Sequence, residues 1–84
     1  MKNCIITFRS VTPAQRAEEV LRRAGVECTL QRTQKWMQEK GCGYSLRLNC
    51  RDIMTAAAFL RQAGIQFRRA YTLREDGTPE ELRL

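Results

Sequence analysis

The chain has 84 residues, with four Cys and no His, and 15 Lys and Arg against 9 Asp and Glu for a formal charge of +6. Eighty-four residues make one small domain whose single core buries about 60–65% of the unfolded surface. Without His there is no Ser-His-Asp or Cys-His catalysis and no zinc site with His ligands.

The first apolar stretch, Cys4-Ile5-Ile6-Thr7-Phe8, is too short for a signal h-region, and no small-residue cleavage site follows it. No stretch approaches the roughly 18 apolar residues of a membrane span. The expected compartment is therefore the cytoplasm, with reduced thiols rather than a disulfide framework.

Residues 3–9 are rich in β-branched and aromatic types and predict a strand. A helix follows over 13–24. Thr12 is its expected cap, Pro13 its first residue and Gln15 its capping-box partner. Ala14, Ala17, Leu21 and Ala24 form its apolar stripe, with Val20 beside it. The helix ends in Leu21-Arg22-Arg23-Ala24-Gly25-Val26, which returns 39 residues later as Leu60-Arg61-Gln62-Ala63-Gly64-Ile65. Each copy predicts a helix end, a left-handed Gly and the start of a strand.

Residues 26–31 alternate, with Val26, Cys28 and Leu30 on one face. The connection 32–42 contains Trp36 and Met37, which cover the core edge or form a docking patch. In residues 43–49, Tyr44, Leu46 and Leu48 share one face, and Ser45, Arg47 and Asn49 the other. A second helix over 51–63 carries Ile53, Ala56, Ala57, Leu60 and Ala63, with Asn49 or Asp52 near its cap. Residues 65–73 predict the last strand, with Ile65, Phe67, Tyr71 and Leu73 on one parity. Arg69, on that same parity, suggests a bulge or an early edge. A turn at Asp76-Gly77-Thr78-Pro79 and a loose acidic tail close the chain. Residues 1–74 carry 14 basic and 5 acidic side chains, leaving a tail at 75–84 with Glu75, Asp76, Glu80, Glu81 and Arg83.

The order βαββαβ, in two halves joined by a repeat, predicts an α+β ferredoxin-like sandwich. Four antiparallel strands in the spatial order 4-1-3-2 would carry both helices on one face, leaving strands 2 and 4 as edges. This topology gathers Cys4, Cys28 and Cys50 at one end of the sheet. Cys4 and Cys28 read as core fillers, while Cys50 sits at an element boundary. Cys42 falls at the opposite end, between Gly41 and Gly43, where the first strand ends and the first helix begins. There Arg9, Ser10, Thr12 and the helix N-terminus favour a thiolate. There is no CxxC, and about 20–25 Å of strand separates Cys42 from Cys50, so no metal site and no cofactor is expected.

A basic domain of this class raises RNA binding. The open face of the third strand offers Ser45, Arg47 and Asn49 rather than stacking aromatics, which speaks against nucleic acid as a partner.

Ile5-Ile6-Thr7-Phe8-Arg9-Ser10, Ala14-Gln15-Arg16-Ala17-Glu18, Leu21-Arg22-Arg23-Ala24-Gly25-Val26 and Cys42-Gly43-Tyr44-Ser45-Leu46-Arg47-Leu48 together resemble the selenium/sulfur carrier-like proteins. These are small bacterial domains, and the resemblance covers about residues 4–73. It implies that Cys42 is the carrier thiol, holding sulfur or selenium as a persulfide-type adduct beside Gly41, Gly43, Arg9, Ser10 and Thr12. The implied partners are sulfur or selenium donor and acceptor proteins, for a monomer or homodimer that is not a conventional enzyme. The alternative is a non-catalytic module that binds a protein or a small anion.

Overall fold

The computed structural model describes residues 2–32 and 43–83. Its elements are β1 (Asn3–Phe8), α1 (Val11–Arg23), β2 (Cys28–Arg32), β3 (Tyr44–Asn49), a short 3-10 turn (Cys50–Asp52), α2 (Ile53–Gln62), β4 (Ala70–Leu73) and β5 (Pro79–Leu82). The strands form one antiparallel sheet in the order β2-β3-β1-β4-β5. The first four stand in the order the sequence predicts, although β4 covers only Ala70–Leu73 of the strand expected over 65–73. The fifth is a correction: residues expected in a loose tail pair with β4, Ala70 opposite Leu82 and Leu73 opposite Pro79. The edges among the described residues are therefore β2 and β5.

Local chemistry explains the extra strand. Gly77 turns the chain with φ +86°. Asp76 Oδ1 accepts from the Thr78 amide at 3.0 Å and its hydroxyl at 2.6 Å, which holds the Asp76 carboxyl below its usual range. Arg69 then pairs with Glu81 and Arg74 with Glu80, while Leu82 packs against the core. Glu80 and Glu81 thus meet the arginines that flank β4.

One core joins both helices to one face of the sheet. It holds Cys4, Ile6 and Phe8 of β1, Leu46 and Leu48 of β3, Ala14, Ala17 and Leu21 of α1, and Ile53, Ala56 and Leu60 of α2. Ala14 and Ala17, at i and i+3, let α1 lie close to the strands, and Leu21 at i+7 continues the stripe. Val26 and Cys28 are buried in that core, and Leu30 and Tyr44 pack against it.

The two repeated helix ends have the same geometry. Val26 N–H donates to Leu21 O at 2.8 Å and Gly25 N–H to Arg22 O at 3.0 Å. Ile65 and Gly64 repeat the pattern onto Leu60 and Arg61 at 2.9 and 3.1 Å. Gly25 has φ +83° and Gly64 φ +72°. This is the Schellman motif, with the buried pairs Val26–Leu21 and Ile65–Leu60 as its hydrophobic contacts. Ala24 and Ala63, predicted to continue the apolar stripes, are instead exposed caps.

Two local expectations shift. α1 begins at Val11 with Ser10 as N-cap, so Pro13 stands third in the helix rather than first. Proline fits there because first-turn amides have no intrahelical acceptor. In the last strand region, Arg68 N–H donates to Thr7 O and Thr7 N–H to Arg69 O, both at 2.8 Å. Two residues oppose one, and the bulge reverses the parity beyond it. Ile65, Phe67 and Ala70 face the core, while Tyr71 stands opposite Ile5 on the other face.

The cysteines also differ from expectation. Cys4 and Cys50 form a disulfide with their Cα atoms 4.9 Å apart, where reduced thiols were expected. Antiparallel register explains it. Asn3 faces Asn49, and Cys50 N–H donates to Lys2 O at 3.1 Å, so the residue that leaves β3 lies beside β1.

Candidate functional site

The residues named for the carrier site divide into two groups. Arg9, Ser10, Thr12 and Gly43 are described, whereas Gly41 and Cys42 lie outside the described residues, as do Trp36 and Met37 of the expected core edge or docking patch. Phe8 pairs with Tyr44 across β1 and β3, and Tyr44 with Arg32 across β3 and β2. Gly43, just before Tyr44, therefore enters the sheet at the end where Arg9 leaves it. Two residues later α1 begins.

That helix start is electropositive and has no side-chain cap from Ser10. Ser10 is extended (φ −151°, ψ 174°) and makes no side-chain cap bond, and the first turn contains no acidic residue. Pro13 has no N–H, so the free amides of the turn are those of Val11 and Thr12. Arg9, Ser10 and Thr12 are all exposed. The amides, the helix dipole and the guanidinium favour an anion at this end.

Sequence reasoning missed Ser45. It lies two residues beyond Gly43 on the face away from the helices, where an exposed side chain was expected. It is completely buried, and its Oγ has no hydrogen-bond partner among the described residues. Its neighbours on that face, Ile5 and Thr7, are also buried. Thr7 does find partners, since its Oγ1 donates to Arg69 O at 3.2 Å and accepts from Arg69 N–H at 3.1 Å. A serine in mid-strand among apolar residues was the available signal.

The opposite end of the sheet holds Cys28 and the Cys4–Cys50 disulfide. Cys28 is buried, and desolvation pushes its thiol above the ordinary value of 9.0. Glu18 adds to the rise and Arg22 opposes it. A thiol in that state is protonated at neutral pH and a poor nucleophile. Beside it lies a groove of about 820 Å³, lined in part by Arg22, Arg47, Arg51, Asn3, Asn49 and Cys28. Among the described residues no group of three or more Cys, Asp or Glu could hold a metal ion, and no helix is long and apolar enough to cross a membrane.

Residues 3–72 match the profile of the family described as "Putative Se/S carrier protein-like". The chain belongs to this family. The match runs from β1 through α1, β2, β3 and α2 into β4, so it includes every residue named for the carrier site. β5 is the strand of the Se/S carrier-like chain that falls outside it. No curated protein and no solved structure matches the chain.

Proposed function

We propose that this protein carries sulfur or selenium on Cys42 and is an accessory to other enzymes rather than an enzyme itself. The observation that carries the reading is the family match across residues 3–72, which spans the Cys42-Gly43 step into β3. In this reading the fold is a ferredoxin-like sandwich extended by β5, and Gly43, which follows the carrier thiol in the chain, stands at the end of the sheet where β1 ends and α1 begins.

The transfer is an exchange at sulfur. The Cys42 thiolate attacks the terminal sulfur of a donor persulfide, a new S–S bond forms, and the donor cysteine leaves as a thiolate. Cys42 then holds a persulfide, and an acceptor nucleophile removes its terminal sulfur in the reverse sense. No net oxidation occurs between donor and carrier. With no His available, activation of Cys42 falls to Arg9 and to the amides of Val11 and Thr12, while Ser10 supplies a hydroxyl to the anionic adduct. The partners are a donor and an acceptor protein. Intact mass spectrometry of protein purified without reductant tests the reading. It predicts one additional sulfur or selenium on Cys42 and none on the Cys42→Ser variant.

The groove at the other end of the sheet favours a second reading, a small-anion-binding module. Arg22, Arg47 and Arg51 outnumber Glu27 and Asp52 in its lining. Anion binding that survives Cys42→Ser unchanged, in a chain that takes up no sulfur, would favour this reading over the first.

A further inference from the structure

The carrier reading leaves the Cys4–Cys50 disulfide unused, although its two sulfurs are placed very differently. Cys4 lies in β1 and is completely buried. Cys50 opens the 3-10 turn that leads into α2 and keeps part of its surface. The Thr72 hydroxyl lies 3.3 Å from Cys50 Sγ. One sulfur is therefore sealed in regular structure. The other stands at a junction between elements, beside a hydroxyl able to donate to a thiolate.

The surroundings fit an incoming anionic thiol. Asn3 adjoins Cys4 in the chain, and Asn49 and Arg51 flank Cys50. All three line the groove that also holds Arg22 and Arg47. Arg47 is exposed, and Arg22 has most of its side chain in solvent.

We propose that Cys4 and Cys50 are a second thiol site, a reversible dithiol/disulfide centre that exchanges with small anionic thiols and their disulfides. Cys50 is the sulfur that attacks and is attacked, and Cys4 is the resolving sulfur. In reduction, a small thiolate attacks Cys50 Sγ. The Cys4–Cys50 bond breaks, and its electron pair leaves on Cys4 Sγ, which takes a proton from water. A second small thiolate attacks the small-thiol sulfur of the mixed disulfide. It departs as the oxidised small-molecule disulfide and leaves Cys50 as a thiolate. Two electrons pass from two thiols to the protein. Oxidation runs the same steps backwards, with the Cys50 thiolate attacking the small disulfide and Cys4 closing the bond. Access to sulfur and the choice of sulfur attacked govern such exchanges, and here burial assigns both.

The test uses the full chain carrying Cys42→Ser, so that only this site and buried Cys28 remain. The folded protein is equilibrated in buffers of varied glutathione to glutathione-disulfide ratio, quenched in acid, and mapped by mass spectrometry. The expected result is a continuous passage from disulfide to dithiol while the far-UV circular dichroism stays native. Adding Cys4→Ala should leave one glutathione on Cys50. Adding Cys50→Ala instead should leave Cys4 modified at least tenfold more slowly. A disulfide that opens only when the protein is unfolded overturns the proposal, and so does Cys4 reacting as fast as Cys50. Should a variant not fold, early quenching of the parent chain during reduction decides the same point. The mixed disulfide is expected on Cys50, and finding it on Cys4 overturns the assignment.

Discussion

Phe8 and Tyr44 stand opposite each other on β1 and β3. That rung ties the end of the first strand, and so the start of α1, to the start of the third. From Tyr44 to Asn49, β3 runs about 17 Å at roughly 3.3 Å per residue, and the disulfide and Cys28 lie at the Asn49 end.

Cys28 is expected to be the slow thiol. Its burial holds it protonated, so alkylation of the folded, oxidised protein at neutral pH should label Cys42 at least tenfold faster. Peptide mapping over a time course checks this, and equal rates would contradict it. The same burial has a consequence for stability. Because the folded thiol titrates above 9.0, its contribution is fully present below that pH and is lost as pH rises beyond it. Cys28→Ala should therefore lose less stability than the parent chain as pH rises above 9.0.

Gly25 and Gly64 should respond alike to substitution. Both have positive φ, and a Cβ at either would meet nothing within 4 Å. The cost of Gly→Ala is thus the left-handed backbone alone, about 1–2 kcal/mol at each site. The two glycines end different helices, so the losses should add in the double variant. Urea melts of the three variants check this.

Those glycines were the most legible part of the sequence, because a helix end of this kind is written within six residues. The alternating strands were equally plain, since Tyr44, Leu46 and Leu48 could take only the core face. What escaped was non-local. Cys4 and Cys50 are 46 residues apart and form no short motif, although the topology did bring them to one end of the sheet. The bulge opposite Thr7 depends on hydrogen bonds between distant strands. β5 depends on Arg69 and Arg74 meeting Glu81 and Glu80. Of the carrier site, Arg9, Ser10, Thr12 and Gly43 fall at the expected end. Cys42 and Gly41 lie outside the described residues, so their role rests on the family.

Ser45→Ala should be neutral or stabilising. The hydroxyl is buried without a partner among the described residues, and an unpartnered buried group costs about 1–3 kcal/mol. A chemical melt of the variant is expected to match or exceed the parent. A loss of more than about 1 kcal/mol would show that Ser45 Oγ has a partner in solution.

Reduction should weaken the fold without abolishing it. A cross-link that closes a loop of this length contributes about 2–4 kcal/mol, chiefly by restricting the unfolded chain. For a domain of this size that is a fall in Tm of roughly 10 °C or more. Calorimetry with and without a phosphine reductant checks it, and an unchanged Tm after complete reduction would contradict it.

The central claim is that Cys42 is the carrier, and sulfur transfer tests it most directly. The reduced full chain is mixed with a protein persulfide donor, and the intact mass of each partner is followed. The expected result is one sulfur gained by the chain and mapped to Cys42, one lost by the donor, and no gain by Cys42→Ser. A Cys42→Ser chain that takes up sulfur as fast as the parent would contradict the account.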